Sequence, residues 1–386
     1  MATERRLYVG PSLRRLRRDL GLTQADMAED LEVSASYIAL LERNHRPLSA
    51  EMLVRLAQTY RLDVATLAAE SGDDSARLQS ALRDPMFGGI ELKALEVADA
   101  AAQVVAGNEG LVGHLKARHG LRVRRLPPDV MTGATRRLDR HRREVLLDDT
   151  LDTASQTFQL ALQTAYLELE AEIGEVLSEG AFETEGGQRL TRRALASYAA
   201  AALQMPYTPF ARAAEARRYD VEALGRQFGA SFEQTAHRLT TLQKPGQERA
   251  PFFFIRVDEA GNVSKRLDGA GFPFARHGGG CPLWSVHQAF RTPRQIVTQW
   301  LELPDGQKFF SIARTVTAGG GGFGAPRIER AIALGCAEAH AHRLIYAQDH
   351  RGGGPEQATP IGVTCRLCHR AECAARSAPP IGRQIL

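Results

Sequence analysis

The sequence predicts a multidomain protein that is mainly α-helical in its N-terminal and middle parts and α+β in its C-terminal part. Short, capped helical patterns fill the first 72 residues, and longer alanine- and leucine-rich helical patterns follow. Strand-like patterns begin only after the turn at Pro245 and Gly246. A length of 386 residues is typical of two or three domains. We divide the chain into a domain at 1–72, a linker and helix at 73–110, a helical module at 111–245 and a sensor domain at 248–386.

The composition is that of ordinary globular domains, with 44% hydrophobic and 24% charged residues. No apolar run approaches the roughly 18 residues of a spanning helix, and no secretory signal follows the start. Five cysteines, an odd number, argue against a secreted disulfide scaffold. These observations predict a cytoplasmic protein without membrane partners.

Charge is strongly segregated in the middle of the chain, although the net charge is only +4. Residues 116–143 carry ten Lys or Arg and two acids, whereas residues 144–185 carry eleven acids and no Lys or Arg. The basic segment is either a surface for phosphate or acidic ligands, or it faces the acidic segment or solvent. We favour the second interpretation.

The first 72 residues carry the signals of five short helices. Thr23 with Asp26 three residues later forms a capping-box pattern before the second helix, and residues 33–36 repeat the cap before the third. A tight turn between the second and third helices is typical of a helix-turn-helix DNA-binding domain.

The sequences LTQADMA at 22–28 and VSASYIALLER at 33–43 closely resemble the Cro/C1-type (xenobiotic-response-element) repressor domain. Ala35, Ala39 and Leu40 stand where polar or basic side chains normally read bases, so recognition would depend more on DNA shape. The resemblance implies double-stranded DNA as partner and the following contact residues: Thr23, Gln24, Ser34, Ser36, Tyr37, Ala39, Arg43, Asn44 and Arg46.

The middle module is expected to be mostly helical and non-catalytic. Residues 158–166 (FQLALQTAY) and 198–206 (YAAAALQMP) resemble a zincin-like metallopeptidase module. Its active form needs H-E-x-x-H, in which two histidines hold zinc and the glutamate activates water. Those places read Leu162, Gln163 and Tyr166 here, so we exclude proteolysis at this site.

Residues 219–232 also show a helix, turn and helix rhythm. A second DNA reader is one interpretation, and a structural pair of helices is the favoured one. The acids that directly follow the peptidase-like segment, Glu170, Glu172 and Glu175, are interpreted as a solvated helix face rather than a metal site.

The pattern of the C-terminal segment predicts an α+β domain of the PAS or GAF sensor type, in which helices pack on a sheet. Strands are expected at 252–257, 263–266, 295–303 and 308–316. Helices are expected at 286–290 and 327–347.

Four of the five cysteines have a spacing that suits one metal site. Thiolates at this density favour zinc or an iron–sulfur cluster, and buried thiols without metal are the alternative. His369 is an alternative ligand, while Cys336 is expected in the core or as a substitute for Cys281. The candidate ligands are Cys281, Cys365, Cys368 and Cys373.

The chain as a whole resembles the short-chain fatty-acyl regulators, which include regulators of propionate/methylcitrate and glyoxylate-bypass genes. The resemblance covers nearly the full chain and rests on GCPLW at 280–284, ALGCAE at 333–338, LIYA at 344–347 and CRLCHRAEC at 365–373. It implies a transcription factor whose C-terminal part senses an acyl-CoA or related metabolite, with an iron–sulfur cluster held by the cysteines in some members.

A coenzyme A effector needs cations for its phosphates and an apolar slot for its acyl chain. Residues 251–386 contain 16 Lys or Arg against 10 acids. Phe252, Phe254 and Phe272 are further candidates for the apolar wall, or else core residues. The candidate effector residues are Arg256, Lys265, Arg266, Arg276, Arg294, Arg314 and Trp284.

The leading functional prediction is an effector-responsive transcriptional regulator that binds DNA as a homodimer or higher even oligomer. One alternative is a regulator whose input is redox state or an iron–sulfur cluster. Another is an enzyme with a DNA-binding passenger domain, although no nucleophile and base pair is readable in the sequence.

Overall fold

The computed structural model divides the chain into two compact units, residues 1–82 with 180–191, and residues 83–179 with 192–386. Among the described residues, no helix is both long and apolar enough to cross a bilayer. The described residues are 13–14, 17–18, 20, 22–42, 52, 55–56, 59–60, 93–94, 97–98, 108–179, 185–244, 246–274, 280–319, 324, 327–348 and 353–380.

The first unit contains the two helices that define a helix-turn-helix, α1 (Gln24–Asp30) and α2 (Ala35–Glu42). The predicted pair of helices and the tight turn between them are confirmed. Their apolar faces share one small core with residues from before and after them in the chain. That core consists of Leu13, Met27, Ala28, Leu31, Ile38, Leu41, Met52 and Leu56.

The second unit begins with helices and a small sheet. Its elements in order are α3 (Asn108–His119), β1 (Arg122–Leu126), α4 (Pro128–Met131), β2 (Arg136–Asp139), β3 (Glu144–Asp148), α5 (Thr153–Glu168) and α6 (Glu170–Glu179). The helices α7 (Glu185–Gln204), α8 (Tyr207–Ala216), α9 (Val221–Phe228) and α10 (Phe232–Leu239) follow. Helix α7 spans the division between the two units.

The three-stranded sheet in the middle module was not predicted. Its order is β1-β3-β2, with β1 parallel and β2 antiparallel to β3. Strand β1 reads RVRRL and is largely exposed, so it lacks the apolar alternation that marks a strand. Arg122 and Arg124 each lie 3.2 Å from the Glu144 carboxylate, so the basic and acidic segments face each other here.

The C-terminal part forms a six-stranded sheet, which confirms the predicted α+β class. Strand β9 pairs parallel with β6, and the other pairings are antiparallel. The order is β5-β4-β8-β7-β6-β9. The strands are β4 (Phe253–Val257), β5 (Val263–Asp268), β6 (Val297–Glu302), β7 (Lys308–Gly319), β8 (Arg327–Ala337) and β9 (Thr359–Pro360).

The predicted helix at 327–347 is wrong over most of its length. Residues Arg327–Ala337 form the central strand β8, and they are followed by a short helix α11 (Glu338–Ala341) and a 3₁₀ helix (Ile345–Gln348). Ile332 and Leu334 point to one buried face, whereas Ala331 and Ala333 point to the other. A strand buried on both faces reads as a continuous apolar run, which cannot be distinguished from a buried helix by periodicity. The predicted helix at 286–290 is likewise shorter, two 3₁₀ turns at Ser285–His287 and Ala289–Arg291.

Helices α8, α9 and α10 pack on one face of this sheet. Phe210, Val221 and Leu239 share a core with Phe254 and Ile332. The opposite face is covered by aromatic residues of the segment between β5 and β6, including Phe272 and Trp284. The apolar faces of α9 and α10 are thus used in the core, as the structural interpretation of residues 219–232 requires.

Candidate functional site

The helix-turn-helix is fixed by local hydrogen bonds at both helix starts. The Thr23 hydroxyl accepts from the Asp26 backbone N–H, and the Asp26 carboxylate accepts from the Thr23 N–H at 2.8 Å. The Ser34 hydroxyl accepts from the Tyr37 N–H at 3.1 Å. Thr23 and Ser34 therefore cap helices. Their contacts with DNA stay a prediction.

A buried carboxylate ties Gln24 to the helix bundle. Glu42 is 3% exposed and accepts hydrogen bonds from Arg17 Nε at 2.6 Å and Gln24 Nε2 at 2.7 Å. Burial raises the pKa of Glu42, but the bonds from Arg17 and Gln24 outweigh it and hold that pKa below its usual value. Gln24 thus has a structural partner that the sequence did not reveal.

The other predicted DNA contacts differ in their environments. Ser36 is exposed in the first turn of α2, and Ala39 is half-buried on the same helix. Tyr37 packs against the small core of the first unit. The predicted contacts Arg43, Asn44 and Arg46 lie outside the described residues.

The second unit holds an open cavity of about 380 Å³, which we call the Arg314 cavity. Three helices begin at its wall, α5 at Thr153, α9 at Val221 and α10 at Phe232. Helix N-termini carry a partial positive charge, which favours anions. The lining residues are Thr153, Ala154, Val221, Glu222, Gly225, Arg226, Gly229, Ala230, Phe232 and Arg314.

Arg314 reaches this cavity from β7 with part of its donor capacity unused. Its NH1 atom pairs with Glu222 Oε1 at 2.9 Å, and its guanidinium lies 4.8 Å from the centre of the Phe232 ring. The Arg314 Nε is buried and has no hydrogen-bond partner among the described residues. A buried donor without a partner is costly, so this atom would gain from an added acceptor.

The remaining predicted effector residues lie in other places. Arg256 pairs with Glu233 at 2.6 Å and is the cross-strand neighbour of Lys265. Burial is the main cause that lowers the pKa of Lys265 to about 8. Arg266 and Trp284 line a separate small cleft, and Trp284 Nε1 donates to the buried Ser311 hydroxyl at 3.2 Å.

The last two predicted effector residues are Arg294 and Arg276. Arg294 precedes β6, and its backbone N–H donates to Thr315 Oγ1 of β7 at 2.8 Å. Arg276 lies outside the described residues. Of the six predicted cations, the structure therefore places Arg314 at the cavity, and Arg226, which the sequence analysis does not single out, also lines it.

The four candidate cysteine ligands line one small cleft, the cysteine cleft. The cleft brings Cys281 to the tail that carries Cys365, Cys368 and Cys373. Cys336 is instead fully buried in the core beneath α8 to α10. Its burial raises the pKa of the Cys336 thiol to about 12, which disfavours the thiolate form.

The chemistry of the cysteine cleft favours a thiolate at Cys365. Burial alone would raise the pKa of Cys365, but hydrogen bonds from Ser377 and the nearby Arg376 charge lower it. Ser377 Oγ lies 3.3 Å from the Cys365 sulfur. Tetrahedral zinc with bonds of about 2.3 Å spaces its sulfurs about 3.8 Å apart. Among the described residues, no three cysteine sulfurs lie within 4.8 Å of one another, a wider spacing than that around one bound zinc ion.

The degenerate peptidase positions lie on α5. Gln163 is buried, while Leu162 and Tyr166 are half-buried. The guanidinium of Arg136 lies 5.3 Å from the centre of the Tyr166 ring. These side chains pack within the module and provide neither the two imidazoles nor the general base that zinc-dependent hydrolysis requires.

Family models match three successive parts of the chain. A helix-turn-helix model matches residues 13–67, an IrrE N-terminal-like domain (peptidase M78) matches 116–240, and the C-terminal part of short-chain fatty acyl coenzyme A regulators matches 241–386. The propionyl-CoA carboxylase regulator of Cereibacter sphaeroides is 35% identical, over 98% of this chain and 96% of that protein. The chain belongs to the short-chain fatty acyl coenzyme A regulator family. The family predicted from the sequence is therefore confirmed.

Other relatives of this family member are also transcriptional regulators. The HTH-type transcriptional regulators PrpR and RamB of Mycobacterium tuberculosis are each 33% identical, over 99% and 98% of this chain and 94% and 96% of their own lengths. A solved Mycobacterium tuberculosis transcriptional regulator superposes with a TM-score of 0.74 and 35% identity, over 79% of this chain and 94% of that one. This short-chain fatty acyl coenzyme A regulator is a DNA-binding transcriptional regulator rather than an enzyme, as predicted.

Proposed function

We propose that this regulator changes its affinity for DNA when an acyl-CoA thioester binds in the Arg314 cavity. The observation that carries the proposal is the buried, unpartnered Arg314 Nε at a wall formed by three helix starts. Such a wall suits a phosphate group, and Phe232 supplies apolar surface beside it. The relevant cell compartment would be the cytoplasm, where DNA and acyl-CoA are both accessible.

DNA binding is assigned to the exposed side of α1 and α2. Among the predicted contacts that the structure describes, Ser36 is the best placed, because it is exposed in the first turn of α2 while Ser34 makes the hydrogen bond to the Tyr37 N–H. Thr23, Gln24, Ser34, Tyr37 and Ala39 surround it in the sequence and complete the proposed surface with Arg43, Asn44 and Arg46. Two half-sites about one helical turn apart would require a homodimer or higher even oligomer.

An ion pair within the cavity offers a way for the effector to act. Glu222 neutralises Arg314 and stands in the first turn of α9. A ligand phosphate would compete with the Glu222 carboxylate for Arg314, because both accept from the same guanidinium. Effector binding would then loosen the start of α9 from β7.

Arg314→Met is expected to weaken propionyl-CoA binding about 10- to 100-fold, since a hydrogen bond to a charged group contributes about 1.5–3 kcal/mol. Glu222→Gln removes the same ion pair but should strengthen binding, because it removes the competing negative charge. Isothermal titration calorimetry of the full chain with propionyl-CoA measures both variants. Equal loss of affinity in both would show that the ion pair acts only structurally and would contradict the effector site.

The cysteine cleft supports a second proposed input, an iron–sulfur cluster. Four cysteines line it, and one of them, Cys365, has a lowered pKa. Cys281, Cys365, Cys368 and Cys373 would hold the cluster, and the chemistry it would supply is one-electron transfer.

Cys368→Ser is expected to abolish visible absorption and to remove bound iron from protein purified without oxygen. The matched control is Cys336→Ser, because Cys336 lies in the core and not in the cleft. Iron content and the absorption spectrum of both variants are the measurements. Full iron retention in Cys368→Ser, or a colourless and iron-free wild type, would contradict the cluster.

A further inference from the structure

Three side chains outside the sites above converge between α3 and α5. His114 Nε2 and His119 Nε2 lie 2.7 and 2.6 Å from Glu168 Oε1. His114 and His119 lie in the second half of α3, and Glu168 is the last residue of α5. We call these three residues the His–Glu cluster.

The His–Glu cluster is withdrawn from water. The His114 and Glu168 side chains are 7% and 8% exposed, and that of His119 is 22% exposed. Burial raises the pKa of Glu168, but the bonds and charges of His119 and His114 outweigh it and hold that pKa below its usual value. The second carboxylate oxygen, Oε2, lies 3.8 Å from the exposed Arg118 Nε. Glu168 is therefore held as a carboxylate between two imidazoles.

The backbone fixes where these side chains stand. Gly120 ends α3 with a left-handed conformation, and its N–H donates to the Lys116 carbonyl at 3.0 Å. The Arg143 guanidinium also donates to the His119 carbonyl at 3.1 Å. Ligands on helices held in this way are positioned more accurately than ligands on loops.

We propose that the His–Glu cluster binds a divalent transition-metal ion of the zinc class. Among the described residues, it is the only set of three His, Cys, Asp or Glu side chains whose ligand atoms all lie within 4.8 Å of one another. Two imidazoles and one carboxylate form a set that zinc accepts, with water in a fourth position. Bonds of about 2.0–2.1 Å would space these atoms about 3.3 Å apart. The two histidine–carboxylate distances, 2.7 and 2.6 Å, would therefore lengthen by about 0.6–0.7 Å to admit the ion.

This site differs from both metal sites considered from the sequence. It uses none of the degenerate peptidase positions on α5 and none of the cysteines. The ion would join the ends of α3 and α5 and would replace hydrogen bonds within the cluster by stronger coordinate bonds. The rival interpretation is a carboxylate that accepts two imidazole N–H groups with no ion.

Cobalt(II) titration of the chelator-treated full chain tests the proposal. One equivalent is expected to bind with visible d–d bands and without the ultraviolet band of a cobalt–thiolate bond. The same titration of Cys365→Ser/Cys368→Ser should be unchanged, since the ligands are nitrogen and oxygen.

Glu168→Gln keeps the size of the side chain and can still hydrogen-bond, so it should fold yet bind cobalt more than about 10-fold more weakly. His119→Ala provides a second variant with a more exposed position, and far-UV circular dichroism checks the fold of both. Unchanged cobalt affinity in both variants, a spectrum dominated by the thiolate band, or no cobalt binding by wild type at 100 μM, a concentration on the order of 100 times a micromolar Kd, would overturn the proposal.

Discussion

Gly335→Ala is expected to lower the free energy of unfolding of the second unit by about 3 kcal/mol or more. Gly335 lies in β8 between β4 and β7, and an added Cβ would stand 2.3 Å from Phe253 Cζ and 2.6 Å from the Phe310 carbonyl oxygen. A backbone atom of the neighbouring strand cannot yield as a flexible side chain can. Thermal unfolding followed by circular dichroism should show a midpoint lower by on the order of 10 °C.

Gly174→Ala is the matched control. Gly174 lies in α6, where an added Cβ meets no atom within 4 Å, so this change should stabilise the chain by up to about 1 kcal/mol. If residues 327–347 were the helix that the sequence predicts, Gly335→Ala would stabilise in the same way. An unchanged or raised midpoint for Gly335→Ala would therefore contradict the strand assignment of β8.

Ser36→Glu is expected to weaken DNA binding about 100-fold, since placing like charges against each other across an interface costs several kcal/mol. Ser36 is exposed in the first turn of α2, where the helix dipole stabilises an acidic side chain. The fold should therefore remain intact. The measurement is fluorescence anisotropy of the full chain on a duplex from upstream of its own gene at low salt.

Ser36→Gln is the control for size without charge. It should weaken binding far less than Ser36→Glu, and the salt dependence of the two variants should differ because only one adds a negative charge. Equal affinities for DNA in the two variants would show that position 36 does not face the phosphates. The proposed reading surface would then have to lie elsewhere on the helix-turn-helix.

Local signals predicted much of the fold. The capping box at Thr23 and the cap at Ser34 placed α1 and α2, and four of the expected strands are present as β4 to β7. The local sequence patterns mispredicted secondary structure where one pattern suits both a helix and a strand. The apolar run that ends in β8 suits a buried helix as well as a central strand, and β1 carries arginines where a strand usually carries apolar residues.

The sites were less predictable, because their contacts join distant parts of the chain. Gln24 meets Glu42 across the helix-turn-helix, and His114 meets Glu168 across 54 positions. One sequence feature did point to a buried carboxylate at Glu42, because this acid directly follows Leu41, which is expected to face inward. The sequence indicates Arg314 as a cation on or near a strand, but its value as a donor depends on α9 and α10, which lie about 75 to 93 residues earlier.

The central claim is that an acyl-CoA thioester bound by the second unit alters DNA binding. Fluorescence anisotropy on upstream DNA, with and without propionyl-CoA and a panel of other thioesters, tests it most directly, with Arg314→Met measured in parallel. We expect one thioester to change the DNA affinity of the wild type at least about tenfold, which corresponds to about 1.4 kcal/mol of coupling. At a thioester concentration near the wild-type Kd, where the weakened variant is mostly unbound, Arg314→Met should respond far less. Wild-type DNA affinity that no thioester changes would contradict the claim.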